Sequence, residues 1–200
     1  MAKTILVAYA TNAGSTVEVA ETIAEELRKT GAVVEVRNIQ EVDTVTAYDA
    51  AAIGAPMILG WHRSARKFIR QHRKELGQMP VAYFFTAVSL TDTGEKEIRS
   101  IPVWVDQYRA KAPKNPAHLS FRERYSLISN YLAPALEAAP EVKPVSAAFF
   151  GGKLDIGRLK FFQMLFVLLV IQAQPGDFRD WDFIRLWADH LGSVLGIREV

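Results

Sequence analysis

The 200-residue chain reads as one α/β domain, residues 1–200, built on a five-stranded, doubly wound parallel sheet in the order 2-1-3-4-5. Three observations predict it. Short apolar runs without polar alternation recur along the chain, as strands buried on both faces require. Those runs alternate with segments of helical period, the signature of βαβ units. Half of the residues are hydrophobic and 23% are charged, enough apolar material for one core.

The elements follow in order. Residues 4–10 (TILVAYA) form the first predicted strand, ending at Thr11-Asn12-Ala13-Gly14-Ser15. From Thr16 to Thr30 the period changes: Ala20, Ile23, Ala24 and Leu27 share one helical face, and Gly31 stands where a helix ends. Val33–Val36, Ala50–Gly54, Val81–Val88 and Val145–Phe150 are the other four expected strands. A basic helix is expected over 63–76, and a last helix over 180–195 with Asp180 as its N-cap. Two connections, 91–143 and 151–179, are longer than such a fold needs and are where function is commonly added.

Composition excludes several chemistries. There is no cysteine, so disulfides, thiolate zinc clusters, iron–sulfur centres and thiol nucleophiles are ruled out. His72, His118 and His190 have no metal-ligand spacing, and no metal site is expected. A net charge of +2 does not announce nucleic acid, and the N-terminus lacks the features of a secretory signal. A cytoplasmic protein is expected.

Thr11, Asn12, Ala13, Gly14, Ser15 and Thr16 are the most informative segment. A strand that delivers hydroxyls, an amide and a glycine into a helix N-terminus makes an anion site, because the first backbone N–H groups have no intrahelical partner. Residues 4–27 contain no Lys or Arg, so this is neither the lysine-bearing loop of nucleoside triphosphatases nor a dinucleotide fingerprint. A dianion held by neutral donors is the solution used for flavin mononucleotide (FMN). The same residues also suit an ordinary helix N-cap.

Tyr9–Leu27 resembles the first strand, phosphate loop and first helix of flavodoxins. Ile53–His62, Val145–Asp155 and Gly176–Ala188 narrow the likeness to the flavodoxin-like, quinone-dependent protoporphyrinogen oxidases, whereas 91–143 is longer than is usual there. The resemblance implies a flavodoxin-like fold with FMN at the C-terminal ends of the strands, where loops 11–16, 55–62 and 86–90 converge. Pro56, Met57, Ile58 and Gly60 would then line one side of the flavin ring, and Thr86, Ala87, Val88 and Ser89 the other. Trp61 would stack on the ring or pack on the surface, and Gly151 would permit close backbone geometry at the cofactor edge. His62 is the one titratable candidate near the flavin, as a cation favouring its reduced form or as a solvated loop residue.

The activity the resemblance implies is FMN-dependent transfer of electrons from a reduced tetrapyrrole to a quinone. Alternatives are a flavodoxin-type electron carrier serving a redox partner protein, and an NAD(P)H:quinone reductase. Soluble carriers are typically acidic, but His62–Lys74 holds six Lys or Arg and no carboxylate. Arg63, Arg66 and Lys67 there, with Lys153, suit porphyrin propionates or anionic headgroups, or simply form a solvated face. Phe161–Ile171 is apolar apart from Gln163, and as a helix it would rise about 16 Å, too short to span a bilayer core of about 30 Å. Phe161, Phe162 and their neighbours therefore belong to the core, a homo-oligomer contact, a substrate lid, or a peripheral seat on the inner membrane face.

Overall fold

A computed structural model describes residues 2–12, 14–57, 60–154, 157, 165 and 175–197. Its centre is a seven-stranded sheet. The five expected strands are β1 (Thr4–Tyr9), β2 (Val33–Asn38), β3 (Ala50–Pro56), β4 (Val81–Ala87) and, further along the chain, β9 (Ser146–Gly151). They lie side by side and parallel in the order β2-β1-β3-β4-β9, as the sequence predicts.

Two strands extend the expected sheet. The connection after β4 contributes β5 (Leu90–Thr91), β6 (Glu97–Ile98), β7 (Ile101–Val105) and β8 (Ala110–Lys111). β7 pairs parallel to β9 beyond the fifth strand, β6 folds antiparallel onto β7, and β5 pairs with β8 in a small separate ladder. The 91–143 insertion thus grows the sheet at one edge before its chain returns as α4 (Phe121–Tyr125) and α5 (Ile128–Ala138).

Helices cover both faces. α1 (Ser15–Arg28) and α6 (Trp181–Val194) pack on one side, against Ile5, Val7, Ala52, Phe84 and Phe150. On the other side α2 (Arg63–Gln71), the short α3 (Arg73–Leu76) and α5 pack against Leu6, Ile53, Tyr83, Phe85 and Phe149. Alternate residues of each strand therefore enter different cores, which explains why the strands are apolar throughout. The expected 63–76 helix breaks at His72, which leaves the helical region with φ −102° and ψ 19°. Asp180 caps α6 as expected, its Oδ1 accepting from the amides of Asp182 and Phe183.

The second long connection opens with β10 (Lys153–Leu154) and closes with β11 (Gly176–Asp177), paired antiparallel at its root. Phe161, Phe162 and the rest of the 161–171 run, Leu165 aside, lie outside the described residues. Among the described residues no helix is long and apolar enough to cross a membrane.

Candidate functional site

Parallel strands end together, so the loops after β1, β3, β4 and β9 emerge at one edge of the sheet. The first of these is the 11–16 segment. Thr11 Oγ1 accepts from the Gly14 amide at 2.8 Å and closes a tight turn. Gly14 is the N-cap of α1 with φ 89° and ψ −17°, a left-handed conformation that suits glycine. Among the described residues no side chain caps α1, so its first amides remain directed at the space in front of the helix. Thr16 is fully buried, its hydroxyl 3.4 Å from that of Thr86 at the end of β4. The turn can hold an anion through backbone N–H groups and hydroxyls. Ala13 lies outside the described residues.

A cation stands beside this turn although residues 4–27 contain none. Arg179, carried in by the second insertion, donates from Nη1 to the Ser15 carbonyl at 3.1 Å, and its side chain is only 2% exposed. Glu18 at 3.0 Å and Asp177 balance its charge. The Arg179 hydrogen bond holds the Asp177 carboxyl below the usual range. The same guanidinium lies 4.4 Å above the Trp181 ring. Absence of Lys and Arg nearby in sequence could not exclude one arriving from 164 residues away.

The loop after β3 crosses to its neighbours. The Met57 amide donates to the Thr86 carbonyl at 2.9 Å, so Pro56 and Met57 continue beside the end of β4. Met57 and Trp61 then bridge antiparallel, with Gly60 at φ 93° in the turn between them. Ile58 lies outside the described residues. Trp61 is 1% exposed, its ring packed 5.6 Å from Tyr83 and 5.1 Å from Phe85. Both readings of Trp61, ring stacking and surface packing, are therefore corrected: it is a core residue under the loop.

His62 is likewise corrected from a candidate cation. It is the N-cap of α2, where Nδ1 accepts from the Ser64 amide at 3.3 Å and lies 2.6 Å from the Ser64 hydroxyl. Nε2 lies 3.0 Å from Asn12 Oδ1 and donates to it. With Nδ1 accepting from an amide and Nε2 donating to an amide oxygen, the ring is a neutral tautomer, and burial pushes its pKa below the ordinary value. His62 ties the β3 loop to the 11–16 turn.

Arg63, Arg66 and Lys67 occupy the first two turns of α2, which contain no acidic residue. Cations at a helix N-terminus oppose its dipole, so this placement does not serve helix stability. Lys153 is exposed on β10.

The loop after β4 holds Thr86, Ala87, Val88 and Ser89, of which Val88 and Ser89 are partly exposed. Residues of the first insertion, to which sequence reading assigned no role, seize it. Arg109 Nη2 donates to the Val88 carbonyl at 3.4 Å, and its guanidinium lies 4.0 Å above the Phe178 ring. The Tyr131 hydroxyl donates to the Ser89 carbonyl at 3.1 Å. Across the slot, the Tyr125 hydroxyl accepts from the Gly60 amide at 3.0 Å. At the end of β9 the buried Asp106 carboxylate accepts from the amides of Gly151 and Tyr108. Burial raises the Asp106 pKa against the pull of those donors. Among the described residues no group of His, Asp and Glu could hold a metal ion.

A doubly wound sheet with an open anion turn after its first strand, and two loops facing each other beside it, defines a protein of flavodoxin-like fold. The flavodoxin-domain family model matches residues 6–179, and the chain belongs to that family. Protoporphyrinogen IX dehydrogenase [quinone] of Escherichia coli strain K12 is 22% identical over 200 residues, covering 94% of each chain. The protein of that name from Escherichia coli O157:H7 matches with the same identity and coverage. Among solved structures, a short-chain flavodoxin associated with a non-canonical PDU bacterial microcompartment has 13% identity and a TM-score of 0.51 over 98% of this chain and 100% of its own. That likeness shows the fold.

Proposed function

We propose that the chain is an FMN-dependent oxidoreductase that passes electrons from a reduced, porphyrinogen-like tetrapyrrole to a quinone. The observation that carries the reading is the open first turn of α1, with left-handed Gly14, set between the loops after β3 and β4. Its donors suit a phosphate monoester, and the paired loops suit a flat ring beside it. Thr11, Asn12, Ser15 and Thr16 hold the phosphate through side-chain donors and the free first amides of α1, the Gly14 amide being taken up by Thr11 Oγ1; the loop residues from Pro56 to Gly60 and from Thr86 to Ser89 flank the ring. Bound FMN supplies the ring that accepts and returns electrons; this chain's residues hold it and select what reaches it.

The substrate class rests on two supports. The relative named protoporphyrinogen IX dehydrogenase [quinone] aligns along nearly the whole chain. The cations of α2, set where the helix dipole opposes them, suit the propionates of a tetrapyrrole. In the overall reaction the tetrapyrrole loses electrons and protons, and a quinone gains both to become its quinol.

The test is anaerobic mixing of the FMN-loaded protein with protoporphyrinogen IX and menaquinone. Porphyrin fluorescence should rise in step with quinol formation and depend on added FMN. A loaded protein that reduces one-electron acceptors but leaves porphyrinogen unchanged would overturn the substrate assignment and favour a relay.

A further inference from the structure

We propose that the 91–143 insertion is a clamp on the two loops flanking the flavin slot, with Tyr125 and Tyr131 as the positioning residues that set its width. The proposal rests on the flavin reading above for what the slot holds, but not for the clamp itself.

The two loops belong to different crossovers of the sheet, one after β3 and one after β4, and each is reached by a hydroxyl from the insertion. Tyr125, the last residue of α4, receives the Gly60 amide at 3.0 Å. Tyr131, in α5, donates to the Ser89 carbonyl at 3.1 Å. The two rings meet edge to face with centroids 6.3 Å apart, so one aromatic pair links the loops. Rings do not shorten or bend, and each tyrosine side chain has only two soft torsions, so the pair fixes a distance at low entropic cost.

The clamp has a rigid base. Tyr131 is buried, and α5 packs Ile128, Leu132 and Ala135 into the core on the α2 side. Between the tyrosines, the Ser126 carbonyl accepts the Thr91 amide at 2.8 Å, and the Ser126 and Thr91 hydroxyls lie 2.7 Å apart. Arg109 also donates to the Val88 carbonyl at 3.4 Å. Gly60, in a left-handed turn, has little conformational restraint of its own, and the tyrosine hydroxyl supplies it. A slot held open before its ligand arrives avoids the entropy loss of ordering both loops on binding.

The test uses the full chain carrying Tyr125→Phe, Tyr131→Phe or both, with Tyr48→Phe as control, since the Tyr48 hydroxyl bonds Glu35 in β2, the edge strand away from the loops after β3 and β4. FMN affinity is read by quenching of flavin fluorescence and the midpoint potential of the bound flavin by spectroelectrochemistry. Amide hydrogen exchange is read on the FMN-free protein. Each slot variant should weaken FMN binding about fivefold, as loss of one net hydrogen bond implies, and displace the midpoint potential from the wild-type value. Exchange at Gly60 should quicken about tenfold in Tyr125→Phe while amides of β1, β3 and β4 keep their protection. Tyr48→Phe should change none of these. Wild-type affinity, potential and Gly60 exchange in both slot variants would overturn the clamp. If the wild-type chain takes up no FMN, the flavin reading falls, and the exchange measurement alone still decides whether the tyrosines hold the loops.

Discussion

The two ends of the slot are built in opposite ways. At the phosphate end the decisive contact spans three residues, from Thr11 Oγ1 to the Gly14 amide, and strand, turn and helix follow one another without interruption. At the ring end the decisive contacts span 65 residues from Gly60 to Tyr125, 42 from Ser89 to Tyr131 and 45 from Asp106 to Gly151. A local turn is shaped by its own residues, and the distant contacts it receives, from Arg179 to the Ser15 carbonyl and between the Thr16 and Thr86 hydroxyls, brace it rather than close it. A slot made of two loops needs a third party to fix their separation, and here a long insertion provides it. Damage at the first end should therefore remove ligand and spare the fold, whereas damage at the second should reach the fold itself.

The largest effect is expected at the local end. On the proposed reading Gly14→Asp puts a carboxylate where the phosphate would dock, and like-charge contact costs several kcal/mol, so FMN affinity should fall on the order of 100-fold or more. The left-handed conformation at Gly14 adds strain of about 1 kcal/mol for a side chain with a Cβ. Titration with FMN and a thermal melt of the ligand-free protein check both halves. A variant that keeps wild-type affinity overturns the assignment of the turn, and one that fails to fold breaks the contrast between the two ends.

Gly151→Ala tests the other end. A Cβ there would lie 1.9 Å from the Phe178 carbonyl oxygen and 2.9 Å from Arg109 Cγ, so backbone of the second insertion must move. Both the Asp106–Gly151 hydrogen bond and the stacking of Arg109 on Phe178 depend on that packing. Overpacking of this kind costs about 3 kcal/mol at its upper range, to be read as a lowered denaturation midpoint in urea. A stability within 0.5 kcal/mol of wild type, roughly that of an innocuous surface change, would mean that the two insertions are not coupled through the end of β9.

The same contrast explains what could be read in advance. The five strands, α1, α6 with its Asp180 cap and the glycine turn into α1 were legible, because each is encoded by neighbours: apolar runs, period 3.6, and a glycine entering a helix. β6 and β7 were not. Their two-residue connection is Arg99-Ser100, both at positive φ, where such a turn normally advertises itself with Asn-Gly or Asp-Gly. β7 also contains Pro102, which argues against a strand until it is placed exposed and opposite Glu97 at the sheet's margin. Trp61 was misread because proximity to the loop says nothing about which way a ring turns, and here it turns under the sheet. Tyr125 carries no local signal, and Arg179, though inside the 176–188 segment, gives no sign of its contact with Ser15; both roles exist only once distant segments have packed.

His62 joins the two ends, and its effect should be the smallest. His62→Ala removes the N-cap of α2 and the tie to Asn12, at a cost of about 1 kcal/mol. Because the folded pKa lies below that of the unfolded chain, the unfolded state binds the proton first on acidification. The contribution of His62 is therefore complete above about pH 6.5, where both states are neutral, and declines as pH falls from there toward the folded value. Urea melts of wild type and variant at pH 8 and at pH 5 should show a gap that is larger at the higher pH. A gap that widens on acidification would mean that the folded state prefers the charged imidazole, and would return His62 to the role of a cation beside the ring.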